Sequence, residues 1–151
     1  MNTTNTNSGG WKNSHMMKTI CPAFLNALPA AWRSAIKNCT KYSDNTGGGN
    51  DTASYVTATT QKIFLLAEFE VHGTRYYANS AEKNYQAQYD YYRAGNSKVH
   101  YRHNATGAAA FVWCRSVYSS YSYFFCRVNT DGSAYANSAA LSWALAPCFF
   151  V

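Results

Sequence analysis

The stretch YFFCRVNTDGSAYAN, residues 123–137, decides the fold class. Two short extended segments, Tyr123 to Asn129 and Ala134 to Asn137, flank the pair Asp131-Gly132. Asp and Gly tolerate the left-handed backbone angles of a tight turn, so the stretch predicts a β-hairpin. Further extended pieces are expected on both sides, at Val99 to His103, Ala109 to Ser116 and Leu145 to Val151. The C-terminal end therefore reads as an antiparallel meander of short strands.

Helical patterning dominates upstream. Ser80 is a cap candidate, Glu82 and Lys83 suit a first turn, and Tyr85, Tyr89 and Tyr92 recur at helical spacing before Gly95, predicting one helix with those tyrosines in the core. From Asn13 or Ser14, Met17, Ile20, Phe24, Leu25 and Leu28 repeat with helical period, and Pro22 must end or kink the run. A second helix is expected after Pro29, with Trp32 and Ile36 on one face. Between these regions SDNTGGGNDTA, residues 43–53, reads as a surface loop, and KIFLLAEFEV, residues 62–71, as a central strand. Helices first and strands last make the class α+β. Residues 1–10, MNTTNTNSGG, have nothing evident to bury and read as a linker or the exit from a preceding segment, leaving 11–151 as the domain.

Composition narrows the function. Charged residues are 13% and aromatics 17% of 151 residues, the balance of a folded chain rather than a disordered one. The 13 basic and 7 acidic residues give +6, but the basic residues are scattered and form no nucleic-acid stripe. No apolar stretch is long enough to cross a bilayer, and the first ten residues lack the pattern of a signal peptide. The five cysteines show no C-x-x-C pair and read as buried apolar residues, with a Cys114–Cys126 bridge left open.

Catalytic patterns are weak. His100 and His103 sit three apart on an extended segment, which sends their side chains to opposite faces, and with His72 they make a poor metal set. Glu68 and Glu70 suit a solvated or Arg-paired role better than acid–base work, and the glycines at 47–49 are not followed by a phosphate-loop lysine. Acidic residues are too few to predict a calcium site. Trp113, Arg115 and Ser116 read as scaffold, a buried ring and an Arg that pairs with a carboxylate or carbonyls. No enzyme, cofactor or metal is expected.

The tail YSSYSYFFCRVNTDGSAYANSAALSW, residues 118–143, has the composition of a binding surface. Tyrosine supplies broad, rigid, half-polar contact, and Ser, Gly and Asn supply adaptable hydrogen bonds. Alternation along an extended chain places Tyr121, Tyr123 and Phe125 on one face and Ser122 and Phe124 on the other. With Phe124 taken as core, the candidate ligand-binding residues are Tyr118, Ser120, Tyr121, Tyr123, Phe125, Tyr135, Asn137, Leu141 and Trp143.

The ordered segments GGWKNS (9–14), TKYSDNTGGG (40–49), TQKIFLLAEFEVHGTRYYAN (60–79), YYRAGNSKVHY (91–101), WCRS (113–116), CRVNTDGSA (126–134) and APCFFV (146–151) together resemble a domain of phage and prophage tail proteins. That domain is related to the formylglycine-generating-enzyme variant of the C-type lectin fold, and the resemblance spans about residues 9–151, departing at Val112, Leu145 and Cys148. It implies a C-type-lectin-like fold without the reactive cysteine pair of the enzyme branch. It also implies kinship with variable proteins of diversity-generating retroelements, whose 3′ coding ends are randomised at adenines, yielding the Tyr, Ser, Asn, Thr, Ala and Phe that crowd this tail. The expected function is a receptor-binding or adhesin-type domain on a virion tail or bacterial surface, recognising a bacterial surface protein or glycan. Nucleic acid and membrane insertion are not expected, and a homo-oligomer is compatible with the resemblance. The alternatives are a structural tail or virion-decoration domain and an inactive enzyme of the same fold.

Overall fold

A computed structural model describes the backbone of residues 1–151 and every side chain except those at 105 and 106. Helix α1 (Gly10–Asn13) is a single turn. Ser14 follows it, and its Oγ accepts the Met17 amide at 3.1 Å. Residues Met16–Ile20 then wind as a π-helix that passes directly into α2 (Cys21–Ala27), with Pro22 in its first turn. Pro22 has no amide to give the preceding turn, and the wider π turn absorbs that gap. Helix α3 (Ala30–Ala35) starts after Pro29. It ends before Ile36, which is extended and buried, while Trp32 is 54% exposed. The expected shared face of Trp32 and Ile36 is therefore not formed.

Strand β1 (Cys39–Asp44) pairs antiparallel with β2 (Val56–Gln61). Ser43 and Asp44, expected in a surface loop, are fully buried strand residues. Asp44 takes the Thr46 and Gly47 amides on one oxygen and the Asn79 side-chain amide on the other, so turn-like residue types here serve an internal network. The run at 62–71 is buried as its apolarity demands, but it is not a strand. Phe64 makes one isolated bridge, to Cys148, and residues Glu68–His72 form α4, whose first turn is closed by Glu70 accepting the Ala67 amide.

The single helix expected at 80–95 is likewise broken. A 3-10 turn, Ser80–Asn84, is capped by Asn79 rather than Ser80, and α5 (Asp90–Arg93) follows a non-helical link and ends before Gly95 at φ +84°. Tertiary bonds divide it: Glu82 points inward to the Asp44 amide and Ser116, while the Tyr89 amide bonds to Glu70 O. Of the three tyrosines expected in the core only Tyr92 is buried; Tyr85 is exposed and stacks on Tyr42 at 4.4 Å.

The C-terminal half is antiparallel. Strand β3 (His100–Arg102) pairs with β4 (Ala105–Ala110), and β5 (Val112–Val117), β6 (Phe124–Val128) and β7 (Ala134–Ser138) form a three-stranded sheet in that order. The expected strand Ala109–Ser116 is thus two strands divided at Phe111. The β6–β7 hairpin turns as expected at Asp131-Gly132, with Gly132 at φ +84° and Asp131 Oδ1 accepting the Ser133 amide. The last residues join other parts of the chain through single bridges, Lys37 to Phe150, Phe64 to Cys148 and Val112 to Ala144.

Two apolar clusters result, one around Trp11, Phe64, Trp113 and Phe125 and one around Phe69, Tyr92, Cys114 and Cys126. Arg115 is buried in an ion pair with Glu70, which Lys41 also reaches at 3.2 Å. All five cysteines are free thiols. Residues 1–10 do not behave as a linker: Met1 and Asn7 are buried, and Asn2 and Asn7 donate their amides to Ala139 O and Ser122 O, each at 2.8 Å. The fold is a small mixed α+β domain with helices toward the N-terminus and antiparallel strands toward the C-terminus. Among the described residues no helix is long and apolar enough to cross a membrane.

Candidate ligand-binding face

Residues 118–123 connect β5 to β6, and buried polar groups from distant parts of the chain set their shape. The Asn7 side-chain amide donates to the carbonyls of Tyr121 at 2.7 Å, Phe124 at 2.9 Å and Tyr118 at 3.3 Å. Its oxygen accepts the Gly48 amide at 2.8 Å, which ties the glycine loop to the same hub. A second hub is Glu68, whose carboxylate accepts the amides of Tyr76, Tyr77 and Ala78. Ser119, itself buried, donates both its amide and its hydroxyl to Tyr77 O and accepts from Arg75. With the backbone satisfied from beneath, the tyrosine rings are left to the outside.

Those rings form a continuous chain. Tyr135 meets Tyr77 at 6.0 Å, Tyr77 meets Tyr118 at 5.2 Å, Tyr118 meets Tyr121 at 5.1 Å, and Tyr121 meets Tyr123 at 5.7 Å. Such offset and edge contacts hold each ring in place while its outer face stays in water. Tyr121, Tyr123 and Tyr135 are exposed, and so is Tyr76 beside Tyr77.

Of the candidates read from the sequence, Tyr118, Tyr121, Tyr123 and Tyr135 are brought together here, and Ser120 is exposed on the same loop. Phe125 is not on the face. It is completely buried among Trp113 and Val117, and Phe124 occupies the outer position, in contact with Tyr118, Tyr121 and Tyr123. The alternation does not extend through this stretch: residues 118–123 are a connection rather than a strand, so Tyr121 and Tyr123 stay outside with Phe124, while Phe125, in β6 opposite Val117, shares that residue's core side. Asn137, opposite Phe125, is half-buried and its Oδ1 accepts the Ser138 amide. Leu141 lies outside the ring chain, lining a cleft of about 470 Å³ with Met1, Met16 and Trp143.

Trp143 belongs to a second aromatic group that sequence reasoning did not assemble. Its ring is 4.6 Å from Phe111, and the Arg127 guanidinium lies 4.0 Å from the Phe111 ring, 5.2 Å from Tyr135 and 5.3 Å from Trp143. Arg127 therefore links the two aromatic groups. Arg127 pairs with Tyr135 because the hairpin closes around three residues, whereas a two-residue Asp131-Gly132 turn would set Arg127 opposite Ala136, so this contact was not legible in the sequence. The roles of Tyr77 and Phe111 had no signal either, since both arrive from other parts of the chain.

The titratable groups are mostly internal. Burial pushes Glu82 up to about 7 and His72 down to about 4, and it raises the Cys114 and Cys126 thiols. Glu70 is held below the usual carboxylate range by Arg115 and Lys41, which together outweigh the opposing effect of burial. No group of three or more His, Cys, Asp or Glu able to hold a metal occurs among the described residues. The outer face offers aromatic surfaces, phenol hydroxyls and small polar side chains.

Among known families, one described as "Domain of unknown function (DUF6273)" matches residues 1–151. No curated protein and no solved structure matches.

Proposed function

The chain belongs to the DUF6273 family, and from that premise we propose that it is a ligand-binding domain whose tyrosine face recognises a partner on a bacterial surface. The observation that carries this reading is the chain of tyrosine rings, with Tyr121, Tyr123 and Tyr135 exposed and Tyr77 and Tyr118 half-buried between them, seated on the Asn7 and Glu68 hubs. Contact surface that is already ordered loses little entropy on binding, and tyrosine in particular gives wide contact from two rotatable bonds. A soluble domain gains nothing in its own stability from keeping Tyr121, Tyr123 and Tyr135 in water.

The resemblance to phage and prophage tail domains supplies the finer statement. On this reading the fold is C-type-lectin-like, the protein is carried on a virion tail or bacterial surface, and the partner is a surface protein or glycan. The division of labour within the tail fits a diversified surface: the connection from Tyr118 to Tyr123 has its backbone fixed by Asn7 and is anchored by the buried Ser119, so the exposed side chains of Ser120 to Tyr123 can change without disturbing Arg115, Glu70 or the core. The domain acts by recognition rather than catalysis.

The test is a screen of bacterial surface glycans and proteins with the intact domain and with a variant carrying Tyr118→Ala, Tyr121→Ala, Tyr123→Ala and Tyr135→Ala. The expected result is loss of binding by at least ~100-fold, the effect of removing two or more contact hot spots, with cooperative unfolding retained. Equal binding by both proteins would move recognition off this face and leave the structural tail subunit as the better reading.

A further inference from the structure

Taking the tyrosine face as the binding surface, as above, we propose that Glu82 is its proton-operated control, a buried carboxyl whose gain or loss of one proton loosens or tightens both hubs on which the rings are seated.

Glu82 lies on the 3-10 turn Ser80–Asn84 with no exposed surface. A hydrogen-bonded path leaves each of its two carboxylate oxygens. Oε2 accepts the Gln86 amide and, at 2.6 Å, the Ser116 hydroxyl, and Ser116 Oγ in turn accepts the Glu68 amide at 3.1 Å. Glu68 is the hub that holds the Tyr76, Tyr77 and Ala78 amides, and Tyr77 O takes both donors of Ser119. Oε1 accepts the Asp44 amide at 2.9 Å, and Asp44 Oδ1 holds the Thr46 and Gly47 amides. The next amide, that of Gly48, goes to Asn7, the second hub, which donates to the carbonyls of Tyr118, Tyr121 and Phe124. The two hubs share one root.

Four carboxylates are buried, Asp44, Glu68, Glu70 and Glu82, and their partners decide which can take a proton. Glu70 is paired with Arg115 and Lys41. Glu68 and Asp44 are held by N–H groups, which cannot turn round to accept. Glu82 faces a hydroxyl, which can donate or accept. A proton taken from water onto Oε2 makes Ser116 an acceptor and turns its hydroxyl hydrogen away, while a proton on Oε1 displaces the Asp44 amide. Either way the root of one path is rearranged, and the remaining bonds lose the strength that a charged acceptor gives them. Burial raises this carboxyl from 4.5 to about 7, which sets the exchange near neutral pH. Around it stand Arg115 from β5, which favours the ionised form, with Glu70 and Lys41 behind it, then Asp44 from β1 and Glu68 from α4. Asp51, paired with Arg75, accepts the Ser80 amide at the head of the turn, and Lys83 beside Glu82 is exposed. Burial raises the nearby Cys114 and Cys126 thiols, so they stay protonated through this range. A buried charge costs the fold as a whole yet tightens the bonds it accepts, so order in the face rises with pH while global stability falls.

The test is NMR of the full chain, free of any partner, from about pH 5.5 to about pH 8.5, a range that brackets the exchange. The glutamate carboxyls are labelled, and the chain has only three, Glu68, Glu70 and Glu82. One carboxyl should titrate near 7. The amides of Glu68, Tyr77 and Ser119 on one path, and of Asp44, Gly47 and Gly48 on the other, should shift with the same midpoint. Amide exchange at Tyr77 and Ser119, corrected for its intrinsic rise with pH, should slow about threefold from the acid to the alkaline end, as charge-assisted bonds replace neutral ones. In E82Q, which keeps an acceptor for the Asp44 amide, these shifts should vanish. S116A, which leaves Glu82 in place, should uncouple Tyr77 and Ser119 while Gly47 and Gly48 still follow, and it checks the coupling if E82Q does not fold. No partner is needed, so a failed titration and a failed screen of the tyrosine face are separate results. No carboxyl titrating between about 6 and about 8, amides on either path that ignore its midpoint, or the same shifts persisting in E82Q would overturn the proposal.

Discussion

Asn7 holds the tyrosine connection with a side chain that has two amide hydrogens for three carbonyls, so the 3.3 Å bond to Tyr118 O is the shared, weaker one. No other residue type of this size supplies two donors and an acceptor, and Gly48 uses the acceptor. Asn7→Ala would strand buried carbonyls at each end of the loop. We expect a loss of about 2–4 kcal/mol in chemical denaturation, the scale of several orphaned buried groups. Asn7→Asp should be no better, because a carboxylate facing three carbonyls repels them. If the tyrosine face is the binding surface, the same variants lose affinity even though they remove no ring, and surface binding measured below the unfolding transition checks this.

The elements of this fold are short, and their ends are fixed by contacts with other elements more than by local propensity. Helix α1 shows the limit of tolerance: Gly10 sits at φ +56°, and a Cβ there would lie 2.1 Å from Asp44 O and 2.6 Å from the Asn45 Cα. Both neighbours are backbone and part of the Asp44 network, so they cannot give way cheaply. Gly10→Ala should therefore cost more than 3 kcal/mol, measured as a lower denaturation midpoint. The hairpin glycine offers the control. Gly132→Ala meets only the Lys98 side chain at 3.3 Å and the neighbouring backbone at 3.4 Å, and at φ +84° it should cost about 1 kcal/mol, mostly backbone strain. Equal losses at the two sites would mean that α1 does not depend on its close approach to β1.

At the scale of the whole molecule, stability against pH reports how internal charges are balanced. Glu82 is raised from 4.5 to about 7 by burial, although Ser116, the Asp44 amide, Arg115 and Gln86 all favour its charged form. Between those values the folded state holds a proton that the unfolded chain has lost, so stability falls as pH rises from 4.5 to 7, by roughly 3 kcal/mol. His72 is lowered from 6.5 to about 4 by burial and by Lys98, so its contribution is present above 6.5 and is lost as pH falls toward 4. The two slopes oppose each other between 4.5 and 6.5. Urea unfolding across this range should give a shallow profile for the natural chain, rising with pH in Glu82→Gln and falling with pH in His72→Gln. Parallel profiles in all three proteins would show that neither group titrates with a shifted value.

Local chemistry by itself settled several features. The Asp131-Gly132 hairpin, the burial of 62–71 and the tyrosine-rich composition of 118–135 are all properties of neighbouring residues, and all were legible. Other features were decided only when distant groups met. The apolar run at 62–71 became a bridge and a helix because Glu68 and Glu70 found Tyr77 and Arg115. The helix expected at 80–95 divided because Glu82 turned inward. The sides taken by Phe124 and Phe125 and the seating of residues 1–10 likewise depend on partners elsewhere in the chain, more than 110 residues away for Asn7. Hydrophobic burial follows from what a residue is, whereas the pairing of a buried polar group depends on which other group the fold brings within about 3 Å of it, and only the folded chain supplies that.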